Sequence, residues 1–231
     1  MSIVKKYHSE VVDVTHHGNE VYTLEFKSLQ TKYKFYPGQF LHLALDEYDP
    51  AAAWPDSRCF SMQSSPDETH IRISYAVKGN FTRRMQNLLV PGYKVWIKLP
   101  FGDLFTQNHH KQNTVFISGG TGITPYLSLF TSTHFQAYSS PHLYAGFRTQ
   151  EHYLYASEIA RAKAINPGLK HTFFFQDSDG IIDIARILNE NKANADTSYF
   201  ISGPPIMIKN FKRFLIDNGV SEKQVKTDEW E

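Results

Sequence analysis

The sequence predicts a two-domain chain, β followed by α/β, on three observations. Residues 1–106 hold short alternating strands broken by Pro and Gly, the clearest being Ile71, Ile73, Tyr75 and Val77. From residue 112 onward, strand-like runs alternate with helix-like stretches. Between the two, residues 106–113 carry two histidines, a lysine and no large apolar side chain, which is the composition of a linker. The expected domains are therefore 1–106 and 112–231.

In the first domain, Val11, Val12 and Val14 belong to one strand, and Tyr22, Leu24 and Phe26 alternate in the next. Tyr36-Pro37-Gly38-Gln39 is a turn, with proline fixing one φ and glycine permitting another. Leu41, Leu43 and Leu45 share a face opposite Phe40, His42 and Ala44. Residues 46–57 read as a loop, 57–61 as a strand, and Val95, Ile97 and Leu99 as the last strand before Pro100-Phe101-Gly102. One helix is expected near 82–89. Strands this short and closely spaced predict an antiparallel Greek-key β-barrel, or failing that a sandwich. In the second domain, strands are expected at 115–118, 142–147, 171–175, 198–202 and 225–228, and helices at 125–132, 151–165, 181–191 and 206–218. That alternation predicts a five-stranded parallel sheet of Rossmann-like type, covered on both faces, with strand order 3-2-1-4-5.

Composition narrows the function. With 24 basic and 23 acidic residues, nothing favours nucleic acid or an anionic membrane. One cysteine, Cys59, leaves no internal disulfide and no four-cysteine iron–sulfur cluster within the chain. The first residues lack a signal-peptide apolar core, and no apolar run approaches the ~18–20 residues of a membrane span, so a cytoplasmic protein is expected. The eleven histidines read as surface residues, and the pairs His16-His17 and His109-His110 lack metal-site spacing; no metal is expected.

Three stretches carry chemistry. In Arg58-Cys59-Phe60-Ser61, strand alternation points Arg58 and Phe60 to one face and Cys59 and Ser61 to the other. A guanidinium fork for phosphate, an aromatic surface for a planar ring and a directed hydroxyl are the groups a flavin nucleotide needs. Downstream, Lys78-Gly79-Asn80-Phe81-Thr82 enters the helix; it is either an ordinary capped start or a phosphate seat that Arg83 or Arg84 assists. Ser118-Gly119-Gly120-Thr121-Gly122-Ile123-Thr124-Pro125 joins the first strand of the second domain to its first helix, with glycines for close approach to a diphosphate and proline for the first helical turn. It is neither Gly-x-Gly-x-x-Gly nor a lysine-bearing phosphate loop. Ser202-Gly203-Pro204-Pro205 ends the fourth strand; strands one and four are neighbours at the switch point, so the two glycine turns should flank one crevice.

Together, in this order, these stretches resemble the ferredoxin–NADP reductase superfamily from Pro37-Gly38-Gln39-Phe40 to the penultimate residue. The resemblance implies a flavin domain and a nicotinamide-nucleotide domain, with hydride passing across the interdomain cleft. It implies flavin contacts from Arg58, Cys59, Phe60, Ser61, Tyr75, Val77, Gly79, Asn80, Phe81, Thr82 and a C-terminal aromatic, Trp230. It implies NAD(P) contacts from Gly119, Gly120, Thr121, Gly122, Thr124, Pro125, Arg148, Gln176, Ser202, Gly203, Pro204, Pro205 and Met207. Tyr155 either stacks on adenine or packs as core. Relatives usually have cysteine at the position of Ser202. Ser61, Ser202 and Asp228 are the implied catalytic group and form a possible proton path. Gln176-Asp177 replaces the Ser-Arg of relatives that demand NADPH, which leans toward NADH.

The expected function is hydride transfer from NADH or NADPH to FAD, FMN being the less favoured flavin, and then electron delivery to a separate redox protein such as a ferredoxin, flavodoxin or oxygenase component. A reductase of free flavin or ferric chelates and a non-catalytic electron-transfer subunit are the alternatives.

Overall fold

The computed structural model describes residues 3–194 and 196–228. The chain divides between Asp103 and Leu104 into two compact units.

The first unit is an antiparallel sheet of β1 (Lys5–His16), β2 (Val21–Ser28), β3 (Phe40–Ala44), β4 (Ser57–Ser61), β5 (Ile71–Ala76) and β6 (Lys94–Phe101), with α1 (Asn80–Leu88) between the last two. The strand order β4-β3-β6-β1-β2-β5 sets β6 between β1 and β3, a non-sequential Greek-key order. β4 and β5 are the two ends of the ladder, and Gln63 bridges them just past β4. Its amide donates to Arg72 O at 2.8 Å, and its side chain accepts from Ser74 Oγ at 2.5 Å. The sheet is thus a near-closed barrel. Leu24, Phe26, Leu41, Leu43, Ile73 and Ile97 fill it, and α1 adds Phe81 and Met85 to the same core. The Ser-Ser-Pro corner is tied down rather than loose: Ser64 Oγ accepts from the Arg72 amide and Glu68 accepts from the Ser65 amide.

The second unit is a parallel sheet of β7 (Asn113–Gly119), β8 (Ser140–Phe147), β9 (Lys170–Phe175), β10 (Ser198–Ser202) and β11 (Val225–Thr227), in the order β11-β10-β7-β8-β9. Numbered within the unit this is the expected 3-2-1-4-5. Successive residues of a strand face opposite sides, so one strand feeds two cores. Phe116, Leu143, Ala145 and Phe200 pack with α2 (Thr124–Phe130) and α3 (Ala156–Ile165). Val115, Ile117, Tyr144 and Ile201 pack with α4 (Ile184–Asn191) and α5 (Pro205–Asp217).

Two expectations change. The segment read as a linker belongs to the second unit. The His110 amide donates to Ser198 Oγ at 3.0 Å, and Leu104 and Phe105, read as the end of the first domain, also join the second unit, with Leu104 buried and Phe105 5.0 Å from Phe200. Histidines read as surface groups are in several cases half-buried, because the imidazole body packs on aromatic rings. His109 sits 2.7 Å from the Tyr138 hydroxyl, and His142 stacks on Tyr144 at 3.9 Å. Among the described residues no helix is long and apolar enough to cross a membrane, and no three potential metal ligands cluster.

Burial holds His142 well below the ordinary imidazole range, at about 4. A histidine depressed in the folded state contributes stability above its unfolded value near 6.5, and that stability is lost as pH falls toward about 4. After discounting for its partial exposure, His142 accounts for about 1 kcal/mol of the loss between pH 7 and pH 5. His142→Gln is therefore expected to show a smaller drop in Tm over that interval than the parent chain. Equal drops in thermal melts at the two pH values would remove this assignment.

Candidate flavin and nicotinamide-nucleotide sites

In the first unit, β4 is an edge strand bonded only to β3, with Cys59 opposite His42 and Phe60 opposite Leu41. The alternation holds. Arg58 and Phe60 lie on one face, and Cys59 turns to the other, its Sγ 3.5 Å from His42 Nε2. Burial pushes the Cys59 thiol up, outweighing nearby Arg58. The Arg58 guanidinium lies 5.1 Å from the centre of the Phe81 ring, and Phe60 meets Tyr75 edge-on at 6.2 Å. Residues from β4, β5 and the start of α1 thus converge across the unbonded ends of the sheet. Tyr75, Val77 and Ser61 are themselves buried.

The start of α1 is open. Gly79 is its N-cap and no side chain caps the helix. The Thr82 hydroxyl instead accepts from the Lys78 and Gly79 amides at 2.9 and 3.1 Å. The opening amides, Asn80 to Thr82, are those an α-helix leaves without intrahelical partners. A Cβ on Gly79 would meet nothing within 4 Å, so this turn can admit a bulky anion. Arg58 is half-exposed and paired with Asp56 at 2.6 Å, an exposed pair of little worth that a phosphate can displace. Arg84 is already committed to Asp46, through two bonds of 2.6 and 3.4 Å. Arg83 is exposed.

In the second unit, the Gly119–Gly122 turn leaves β7 and enters α2 with Pro125 in the first helical turn. Thr124 Oγ1 donates to Thr121 O at 2.9 Å and braces the turn. The neighbouring Ser202–Pro205 turn packs against it backbone to backbone. A Cβ on Gly122 would lie 2.6 Å from Gly203 Cα and 2.7 Å from Ser202 O. Gly203, at φ +146, also comes within 3.0 Å of the Gly119 amide by the same measure. Met207 fills the remaining gap beside Gly119. Gly120, at φ +55 with open space around it, forms the exposed lip. The expected adjacency of the two glycine turns is realised.

Ser202 Oγ donates to Asp228 Oδ2 at 3.0 Å, joining the end of β10 to the residue after β11. Ser118, in register with Ser202 on β7, is fully buried and its hydroxyl has no partner among the described residues. Arg148 and Gln176–Asp177 come together at the ends of β8 and β9. The Gln176 amide donates to Phe147 O at 2.9 Å and the Asp177 amide to Arg148 O at 3.2 Å, with all three side chains exposed. Tyr155 does not join them. Only 2 % exposed, it packs in the core with Ile159 and Ala162, so its ring cannot receive adenine. Trp230 lies outside the described residues. The sequence offered no signal for Arg84 pairing with Asp46, 38 positions away, or for Ile182 seating over Gly146.

Comparison with known proteins agrees with this anatomy. Residues 116–213 match the oxidoreductase NAD-binding domain model. The reductase component of propane 2-monooxygenase from Mycolicibacterium goodii is 25% identical over 244 residues, covering 97% of this chain and 68% of that protein. The chain spans about half to two thirds of the length of the curated relatives it matches. Two solved structures share the fold. A cytochrome P450 reductase from Amycolatopsis aligns with TM-score 0.82 at 17% identity, over 98% of this chain and 70% of that one. A ferredoxin NADP+ reductase from Neisseria gonorrhoeae aligns at 0.77 and 17% identity, over 98% of each chain. The near-closed barrel and the 3-2-1-4-5 sheet are the fold of these solved structures, and the second unit is similar to the oxidoreductase NAD-binding domain over residues 116–213.

Proposed function

We propose that the chain is an NAD(P)H-dependent flavoprotein reductase that passes electrons to a separate redox protein. The observation that carries this reading is the pair of glycine turns packed backbone to backbone at the carboxyl edge of the second sheet. Such an edge holds the diphosphate of a dinucleotide where amides face it and side chains are absent. For the flavin, the uncapped start of α1 beneath Arg58 supplies amides and a guanidinium of the right chemistry, and the open space at Gly79 fits a phosphate. FAD is the flavin we assign, since the solved relative from Neisseria gonorrhoeae was determined with FAD and NADP bound.

A bound flavin would supply a hydride acceptor and a one-electron donor, and the protein would supply binding and orientation. Arg58 and the Gly79–Thr82 turn would hold the flavin phosphates, with Phe60 and Tyr75 on the side of its ring. The Gly119–Pro125 and Ser202–Met207 segments hold the dinucleotide. Ser202, fixed by Asp228, presents a lone pair of its hydroxyl rather than a thiol to the nicotinamide. Asp228→Ala releases Ser202 and is expected to slow flavin reduction about tenfold, the worth of one hydrogen bond to a charged group, with flavin content unchanged. Unchanged single-turnover reduction would remove Asp228 from the mechanism.

A separate acceptor protein is supported by the presence, among the similar proteins, of reductase components of a propane monooxygenase and the ferredoxin reductase of a carbazole dioxygenase. An oxygenase component or a ferredoxin is therefore the partner we assign. The exposed Asp177 carboxylate at the end of β9 can accept from a free ribose hydroxyl and repels a 2′-phosphate, favouring NADH. The test is anaerobic titration of the purified protein with NADH and with NADPH. Retained FAD bleached at about one equivalent, faster with NADH, is the expected result. Colourless protein that turns over only with added flavin points to a free-flavin reductase, and bound flavin that neither nucleotide reduces leaves an electron-transfer module.

A further inference from the structure

A buried hydroxyl without a partner costs stability, so its place in a fold calls for a reason. Ser118 is 0% exposed, and its Oγ has no hydrogen-bond partner among the described residues. It is the last side chain of β7 before the glycine turn. Phe116 and Phe200 belong to the core under α2, so Ser118 and Ser202, each two residues further on, face that same side. The two serines are directly in register on paired parallel strands. On its other flank Ser118 is in register with Ala145, which offers only a methyl group. Tyr126, fully buried on this face, commits its own proton to Ile117 O at 3.0 Å. Burial pushes its phenol far up and the Asp228 carboxylate adds to that, which keeps Tyr126 neutral and puts Asp228 in the same neighbourhood.

A serine hydroxyl has one proton and two lone pairs, and Ser202 gives its proton to Asp228 Oδ2 at 3.0 Å. Its lone pairs remain to accept. Neighbouring strands run about 4.8 Å apart, a gap that two facing serine side chains span once one of them changes rotamer. We propose that Ser118 is a positioning residue for Ser202: its hydroxyl turns to donate to Ser202 Oγ, completing a chain Ser118–Ser202–Asp228 that leaves Ser202 one lone pair, of fixed direction, for the nicotinamide. Held by Asp228 alone, the Ser202 hydroxyl pivots about a single hydrogen bond. A second bond from the neighbouring strand removes that freedom. The inference deepens the reading of Ser202 as a nicotinamide contact and rests on it.

Its test is stopped-flow reduction by NADH of the parent, Ser118→Ala, Ser202→Ala and the double variant. Loss of one neutral hydrogen bond predicts a limiting reduction rate about fivefold slower in Ser118→Ala, with Kd for NADH and flavin content unchanged. Ser202→Ala should slow reduction by at least as much. The double variant should be no slower than Ser202→Ala, because Ser118 acts only through that residue. Removing a buried hydroxyl that has no partner in the free protein should leave Tm at or above the parent value. Ser118→Ala reducing at the parent rate, or slowing reduction equally in the Ser202→Ala background, overturns the positioning role. A slower rate accompanied by a fall of several degrees in Tm assigns Ser118 to packing and overturns it too. Ser202→Ala reducing at the parent rate is a distinct result: it overturns the reading of Ser202 itself, and the proposal with it.

Discussion

Gly122→Ala is expected to abolish most nicotinamide-dependent reduction and to lower the stability of the second unit. The added methyl would stand 2.6–2.7 Å from Gly203 Cα, Gly203 N and Ser202 O, all of them backbone atoms that cannot rotate away. One of the two turns must move. Overpacking of this kind costs about 1–3 kcal/mol, or several degrees in Tm for a unit of this size. The functional loss should be larger than the thermal one. A displacement of about 1 Å in a positioning element can cost on the order of a hundredfold in rate. Gly146→Ala is the informative comparison, because its clash is with the side-chain end of Ile182, which can shift. Stopped-flow reduction and thermal melts of the two variants check this; a Gly122→Ala protein that reduces at the parent rate would show that the turns hold no dinucleotide.

Arg58→Ala is expected to leave the protein folded and largely colourless. Its side chain is half-exposed and its partner Asp56 equally so, so little stability depends on it. A guanidinium on a phosphate is a charge-assisted contact, and losing it costs roughly 1.5–3 kcal/mol, a weakening of about tenfold to more than a hundredfold in flavin affinity. Arg84→Ala, which removes only the partner of Asp46, should keep its flavin. The readout is the ratio of flavin absorbance to protein after gel filtration, with a titration of added FAD to recover the variant. Full occupancy in Arg58→Ala would move the phosphate seat elsewhere.

Much of this architecture is legible because it is coded locally. The alternation Val115, Phe116, Ile117 divides one strand between two cores without reference to anything distant, and the glycine turns announce themselves by composition. Even the Ser202–Asp228 bond follows from strand order, since β10 and β11 are neighbours. What stays hidden depends on partners far along the chain. A tyrosine at the mouth of a helix looks equally suited to a ligand or a core, and only the packing of Ile159 and Ala162 decides for Tyr155. Ile181 and Ile182 are identical letters, yet one is buried over Gly146 and the other faces solvent. The histidines mislead because their charge suggests a surface, whereas His109 and His142 are used as aromatic bodies stacked on Tyr138 and Tyr144.

Cys59 is the chain's sole thiol, set between Arg58 and Phe60 and turned toward His42. With serine at position 202, the second unit offers no thiol to a maleimide. The chain therefore arrives with a unique chemical handle on the strand assigned to the flavin, already partly shielded, and no background cysteine needs engineering away. The rate at which a thiol reagent modifies that one atom in the purified protein becomes a direct gauge of how firmly the neighbouring strand is covered, without any redox assay.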